Sequence, residues 1–289
     1  MLLEGVMATV DTPRPAAVRA AGLVVGAYLQ HLRILRGWHQ EDAARVLGCS
    51  ISTVSRLEGG QVFTRRHARV LIRHHYGVPK KCARAVGELV RVRDYAEQVG
   101  DMGPGWHDRL ALCEQRAEAI TTYTATVIPV PLRTPAYHRA LAVTGASAFS
   151  APERIPRQFL DNQVHTLFLD SAVLERPVGG GLVMAEQIDH LLRLAWEGRA
   201  AVRVVPSEAG TPVGEAHLSR LTLQGSWLYV RESIGAVYTA EVASLPSEDP
   251  FVDALARVAL TADRSHQLLV RARKHMDMLG SLPPREQPA

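Results

Sequence analysis

Between His39 and Gly60 the chain is punctuated so tightly that few folds accept it: HQEDAARVLGCSISTVSRLEGG. Residues 39–47 read as a short helix with Ala43, Ala44, Val46 and Leu47 available for burial. Gly48 stops it, because glycine enters the positive-φ region without a Cβ clash. Ser50 stands where an N-cap belongs, its hydroxyl free to accept the N–H groups that a helix start leaves unpaired. Ile51 to Glu58 reads as the next helix, with Val54 and Leu57 inward, and Gly59-Gly60 closes it. Upstream, Leu23, Val24, Ala27, Tyr28, Leu32 and Leu35 recur at helical spacing, Gly37 ends that run, and Trp38 covers the small core. Two short helices, a Gly-Cys-Ser turn and small alanines at the crossing meet the requirements of a helix-turn-helix, whose last helix projects into the major groove.

Charge is divided accordingly. Residues 1–105 hold 15 Lys and Arg against 9 Asp and Glu, a net +6, whereas the remaining 18 and 20 leave residues 106–289 at −2. One part suits a polyanion and the other is nearly neutral. Cys49, Cys82 and Cys113 are odd in number and form no CxxC pair, which argues for a reducing compartment without disulfides or structural zinc. No apolar run reaches the roughly 18 residues of a membrane span. The opening MLLEGVMATVDTPRP lacks the basic and apolar regions of a secretion signal. Residues 1–19 are expected to be a disordered tail and the protein cytoplasmic.

The run LGCSISTVSRLEGGQ, preceded by HQEDAARV, resembles the DNA-binding domain of the Xre (Cro/cI-like repressor) family. The resemblance implies that Gln40 binds a backbone phosphate. It places base reading on Ile51, Ser52 and Arg56, with Ser50, Thr53 and Ser55 alongside. The chemistry fits: an arginine fork matches guanine O6 and N7, a serine hydroxyl accepts or donates, and isoleucine packs on a thymine methyl. Arg65 and Arg66, on the next helix, are the nearest candidates for phosphate contacts. Arg69, Arg73, Lys80, Lys81 and Arg84 follow, and could equally be a solvated face. His74-His75 has no matching partner pair and reads as solvated.

The expected organisation is a helix-turn-helix domain at 20–79, a connecting helix and linker at 80–105 broken by GDMGPG, a second domain at 106–280 and a tail at 281–289. In the second domain Leu110 to Tyr123 reads as helix and Thr124 to Ile128 as strand, followed by a Pro-rich loop. A strand follows over 163–169, a helix over 184–196 and a buried strand over 201–205. A meander over 218–223, 227–230 and 237–240 precedes a long helix over 251–278. The fold class is therefore an α-helical helix-turn-helix domain plus an α+β domain with a mostly antiparallel sheet.

TPAYHRAL, RIPRQ at 154–158, LDSAVLERPVGG at 169–180, MAEQIDHLL at 184–192, VRVVP at 202–206, ALARVAL and SHQLL resemble the second domain of WhiJ-like regulators of actinobacteria. That resemblance implies a regulator with an antitoxin-like arrangement and a small acidic partner protein. The loop IPVPLRTP departs from the family's pattern at Val130, Pro131 and Arg133, and Arg231 stands where the family tends to have an acid.

Arg154, Arg157, Asp170, Glu175 and Gln187 could converge to hold a ligand, or form a buried structural network. Gly179-Gly180-Gly181 lacks the Lys-Ser/Thr of a phosphate loop, and no hydrolase or metalloprotease signature is present, so no enzyme, cofactor or metal site is expected. The leading expectation is a transcriptional regulator that binds duplex DNA as a homodimer and senses a small-molecule ligand or a protein partner. The alternatives are an antitoxin-like partner-binding protein with secondary DNA binding, and a second domain recruited as a biosynthetic enzyme or small-molecule binder.

Overall fold

Runs rich in β-branched and aromatic residues, such as AITTYT and SWLYVRE, become strands of one seven-stranded sheet, and the helical segments pack against it. The computed structural model describes residues 16–61, 65–91, 97–143, 157, 160–210, 212–242 and 249–281. The first part is helical: α1 (Ala16–Leu35), α2 (Gln40–Leu47), α3 (Ile51–Glu58), α4 (Arg65–Val70), continued by a π-helical turn Leu71–His75, and α5 (Lys80–Leu89). The rest runs β1 (Val99–Asp101), α6 (Trp106–Arg116), β2 (Ala119–Thr124), α7 (Pro135–Val143), β3 (Val164–Asp170), α8 (Ser171–Glu175), α9 (Gly181–Trp196) and β4 (Ala200–Val205). It ends with β5 (His217–Leu223), β6 (Ser226–Glu232), β7 (Ala236–Val242), α10 (Pro250–Val258) and α11 (Ala262–Gly280).

Strand order is β1-β7-β6-β5-β2-β3-β4. Pairing is antiparallel from β1 to β2 and parallel for β2-β3 and β3-β4, so the sheet is mostly antiparallel, as its hairpin-rich sequence implies. The register places Ile120, Leu221, Leu228 and Ala240 side by side on one face. That face carries α1 and α6 over β5–β7 and α9 and α11 over β3–β4. The opposite face buries Tyr123, Phe168 and Val205 under Phe251 and Leu255 of α10.

Four boundaries differ from the sequence expectation. The expected tail yields to α1, which already begins at Ala16. The stretch 80–105 is not a continuous helix followed by a free linker. After α5, Val99-Gly100-Asp101 pairs antiparallel with Tyr238, Val237 and Ala236, so the first two residues of GDMGPG belong to the edge strand of the sheet. The expected helix 110–123 stops at Arg116, where Ala117 turns extended, and the strand expected over 124–128 lies instead at Ala119–Thr124, because that β-branched run is better satisfied in a ladder. The expected helix 251–278 is two helices. Between them Leu260 N–H donates to the Val204 carbonyl at 2.8 Å, which covers part of the free edge of β4.

The helical region and the sheet share one continuous core. Ala43, Val54, Leu57, Leu71 and Val86 lie in the same buried cluster as Leu221, Leu228, Val230 and Tyr238, joined through α1. Residues 20–27 of α1 are buried without a break, as expected of a helix enclosed on every side. Leu35, expected to join the apolar stripe, is instead 69% exposed.

Candidate nucleic-acid interface

The turn between α2 and α3 forms as its residues dictate. Gly48 takes φ 63° and ψ 38°, and the Ser50 hydroxyl accepts from Thr53 N–H at 3.1 Å. At the start of α2 the Asp42 carboxylate accepts from His39 N–H at 2.9 Å. Val54 and Leu57 pack inward, which leaves Ile51, Ser52, Ser55 and Arg56 exposed along one face of α3. Thr53 is half-buried and its hydroxyl lies 2.9 Å from that of Ser50. Arg56 reaches only back to the Ser52 carbonyl at 3.4 Å, so its fork is available to a partner. Arg65, Arg66, Arg69, Arg73, Lys80, Lys81 and Arg84 are all exposed. Of the histidine pair, His74 is exposed, but His75 is half-buried with its ring 6.2 Å from that of Trp38.

Gln40 is placed differently. It is half-buried, and its amide donates to Glu58 at 3.2 Å. Glu58 is itself 2% exposed and takes a two-pronged bond from Arg33 of α1, at 2.6 and 3.0 Å. Arg33 also donates to the Trp38 carbonyl at 2.8 Å. The Glu58 carbonyl oxygen accepts from Arg116 of α6 at 2.9 Å. The partners of this hub were not legible in the sequence, where Arg33 and Arg116 are basic residues near helix ends.

The four described polar candidates of the second domain do not converge on one site. Arg154 lies outside the described residues. Arg157 is buried between two carboxylates, with Glu114 at 2.5 and 2.7 Å and Glu232 at 2.7 and 2.8 Å. Burial alone would pull its guanidinium down; the two acids more than offset this and hold it well above its ordinary value. Burial likewise pushes the Glu232 carboxyl up, but Arg157 and His217 more than compensate and keep it below the usual range. Asp170 caps α8, accepting from Ala172 N–H at 2.8 Å and from the Ser207 hydroxyl at 3.1 Å. Gln187 is fully buried and ties the Pro-rich loop to α9, accepting from Thr134 N–H at 2.7 Å and donating to the Leu132 carbonyl at 2.9 Å. Two of the departures from the resembled pattern, both arginines, make bonds of their own. Arg133 donates to the Ile128 carbonyl at 2.7 Å, and Arg231 pairs with Glu215 at 2.9 Å.

Glu175 alone borders a cleft, of about 430 Å³, outside the carboxyl ends of the parallel strands β3 and β4. Leu174, Val204, Pro206 and Leu268 give it an apolar floor. Its charged lining residues are Glu175 of α8, Glu208 just after β4, and Arg271 and His275 of α11. Among the described residues no His, Cys, Asp and Glu group could hold a metal, and no helix is long and apolar enough to cross a membrane.

A family model for a domain of unknown function, DUF5753, matches residues 107–271, more than half of the chain. The chain belongs to the DUF5753 family. Residues 24–85 match a helix-turn-helix domain, which supports a DNA-binding regulator and covers α2, α3 and the exposed arginines after them. No curated protein and no solved structure matches the chain significantly.

Proposed function

We propose that this DUF5753 protein is a sequence-specific transcriptional regulator of the Xre type, reading duplex DNA with α3 and acting as a cytoplasmic homodimer with no catalytic step of its own. The observation that carries the reading is the exposed face of Ile51, Ser52, Ser55 and Arg56 on a helix whose other face is fixed by Val54 and Leu57. Arg56 supplies the fork for a guanine, Ser52 and Ser55 flank it, and Ile51, 45% exposed, suits a thymine methyl. Arg65 and Arg66 supply sequence-independent attraction to phosphate. Gln40 donates one amide N–H to Glu58 and keeps the second for a phosphate.

The sheet region acts as the sensing half of a WhiJ-like, antitoxin-like actinobacterial regulator. Of a small-molecule ligand and a small acidic partner protein, the cleft beside α11 favours the ligand. Its volume lies within the roughly 300–1,000 Å³ of small-molecule pockets, and apolar side chains line it together with a few charged ones.

The test is selection of bound duplexes from a random library, followed by titration of single-base variants of the selected site. Arg56→Ala should cost about 1–3 kcal/mol on the selected site and relax one base position. A wild-type protein that selects no sequence, or an Arg56→Ala profile identical to the parent's, would refute the assignment.

A further inference from the structure

We infer that Arg116, a residue of the sheet region, is a positioning residue for base readout: it holds the reading helix by its C-terminal carbonyl. The inference rests on the reading of α3 as the DNA-contacting helix. Its ground is the convergence of three helices on one residue. Glu58 ends α3, two residues beyond Arg56. Its carboxylate is held by Arg33 of α1 and touched by Gln40 of α2, and its carbonyl is held by Arg116 of α6.

The chemistry of that last bond is specific. A helix C-terminus presents carbonyls without intrahelical partners and the negative end of the helix dipole, so a guanidinium there is favoured on both counts. The two glycines that close α3 already make two of their N–H bonds back into the helix, to Ser55 and Leu57. Arg116 adds the link from outside.

The surroundings leave α3 little room to shift unless α6 or the β5–β6 hairpin shifts with it. A Cβ on Gly26 of α1 would lie 2.6 Å from the Leu57 and Glu58 carbonyl oxygens, and a Cβ on Gly60 would lie 2.8 Å from Leu23 backbone atoms. On the other side, a Cβ on Gly59 would meet the amide oxygen of Gln224 at 3.0 Å. Gln224 is at the tip of the β5–β6 hairpin and takes φ 46°, the non-glycine residue of positive φ among the described residues. Leu23, Ala27, Gly59, Arg116, Leu223 and Gln224 line one shared water-sized gap, so reading helix, sheet tip and α6 meet at a single point. A movement of α6 or of that hairpin therefore moves Glu58, and with it Arg56 and Gln40.

The full-length protein with Arg116→Met tests this, because methionine keeps the apolar stem and removes the donor. The measured quantity is discrimination: the ratio of affinities for the selected duplex and its single-base variants. A purely structural role for Arg116 lowers the folded fraction and weakens every duplex alike, leaving that ratio unchanged. Positioning lowers the ratio itself, by on the order of tenfold, with thermal unfolding recorded alongside. Arg116→Lys, which restores a cationic donor, should recover most of the discrimination and serves as the folded variant if methionine is not tolerated. Unchanged discrimination in Arg116→Met, or in a folded Arg116→Lys no better than methionine, overturns the inference. A wild-type protein without discrimination overturns the reading of α3 instead.

Discussion

Asp101→Ala should destabilise the whole molecule by about 3–5 kcal/mol, because it strands a buried guanidinium. Arg109 is 0% exposed and Asp101 2%. Their bond is two-pronged, Nε to Oδ2 and Nη2 to Oδ1, both at 2.6 Å, and the remaining donors reach the Pro104 carbonyl at 3.1 Å and the Gly103 carbonyl at 3.3 Å. Removing the carboxylate leaves two neutral carbonyls to compensate a full charge in an apolar site that also includes the Tyr28 ring, 5.9 Å from the guanidinium carbon. Replacing both partners, as in Asp101→Leu with Arg109→Met, removes the desolvation cost along with the attraction and should come within about 1–2 kcal/mol of the parent. The cycle therefore gives a large coupling energy between the pair. Equilibrium urea unfolding, followed by far-ultraviolet dichroism and tryptophan fluorescence, is the assay. Since β1, α1 and α6 belong to one core, both probes should shift together in a single transition. A cost below about 1 kcal/mol for Asp101→Ala would refute the claim that the pair is buried. Two separate transitions would refute the claim that helices and sheet fold as one unit.

Two further outcomes follow from the charges. Arg65→Ala with Arg66→Ala should weaken binding to all duplexes alike and reduce the salt slope by about 1 per lost phosphate contact, whereas an unchanged slope in salt titrations would make both arginines bystanders. His165 is buried beside Gln163, and burial, reinforced by Arg199, pulls its imidazole down to about 4. A folded value below the unfolded one of about 6.5 means that stability is full above pH 6.5 and is lost as pH falls towards 4. About 2 kcal/mol should go between pH 6.5 and 5, and His165→Gln should flatten that part of the profile in urea titrations; an equal slope in the variant would rule His165 out as its source. The depressed carboxyl of Glu232 acts below this window, losing its contribution only under about pH 4.3.

The helix-turn-helix was legible because its signals are local. Gly48 and Ser50 specify the turn whatever packs around them, and Val54 and Leu57 fall on the only face that can be buried. What escaped the sequence depends on distant partners. AAGLVVGAYL is apolar all round, and the periodic subset Leu23, Val24, Ala27 and Tyr28 suggests a single buried stripe. The sheet claims the rest, so Ala21, Val25 and Leu29 are buried as well. Val99-Gly100-Asp101 is too short to carry a strand signal, and becomes one because Ala236, Val237 and Tyr238 offer an edge. Over residues 110–123 the apolar positions satisfy helical spacing well enough to hide the change of period at Ala117. Arg157 and Gln187 were visible as polar residues in apolar surroundings. Their partners Glu114, Glu232, Leu132 and Thr134 lie 43 to 75 residues away in sequence, beyond the reach of local reading.

On the proposed reading of α3, the small number of exposed side chains bears on how specificity would be reached. A regulator needs about 4–10 kcal/mol between specific and non-specific DNA to find its site among competing sequences. Along α3, Arg56 is the one exposed group able to make a two-pronged base contact, worth about 1–3 kcal/mol. Ser52, Ser55 and Ile51 offer single hydrogen bonds or a methyl contact, each worth less. One copy thus falls near the lower bound, and two copies on paired half-sites bring the sum well into range, which is the physical case for the proposed homodimer. Doubling helps only if both readers arrive in register. A reader on a free linker would spend part of the gain on being ordered. Here β1 is laced into the sheet, residues 20–27 of α1 are buried without a break, and α3 is bound by its last carbonyl to α6, so each reader is already ordered by its own sheet.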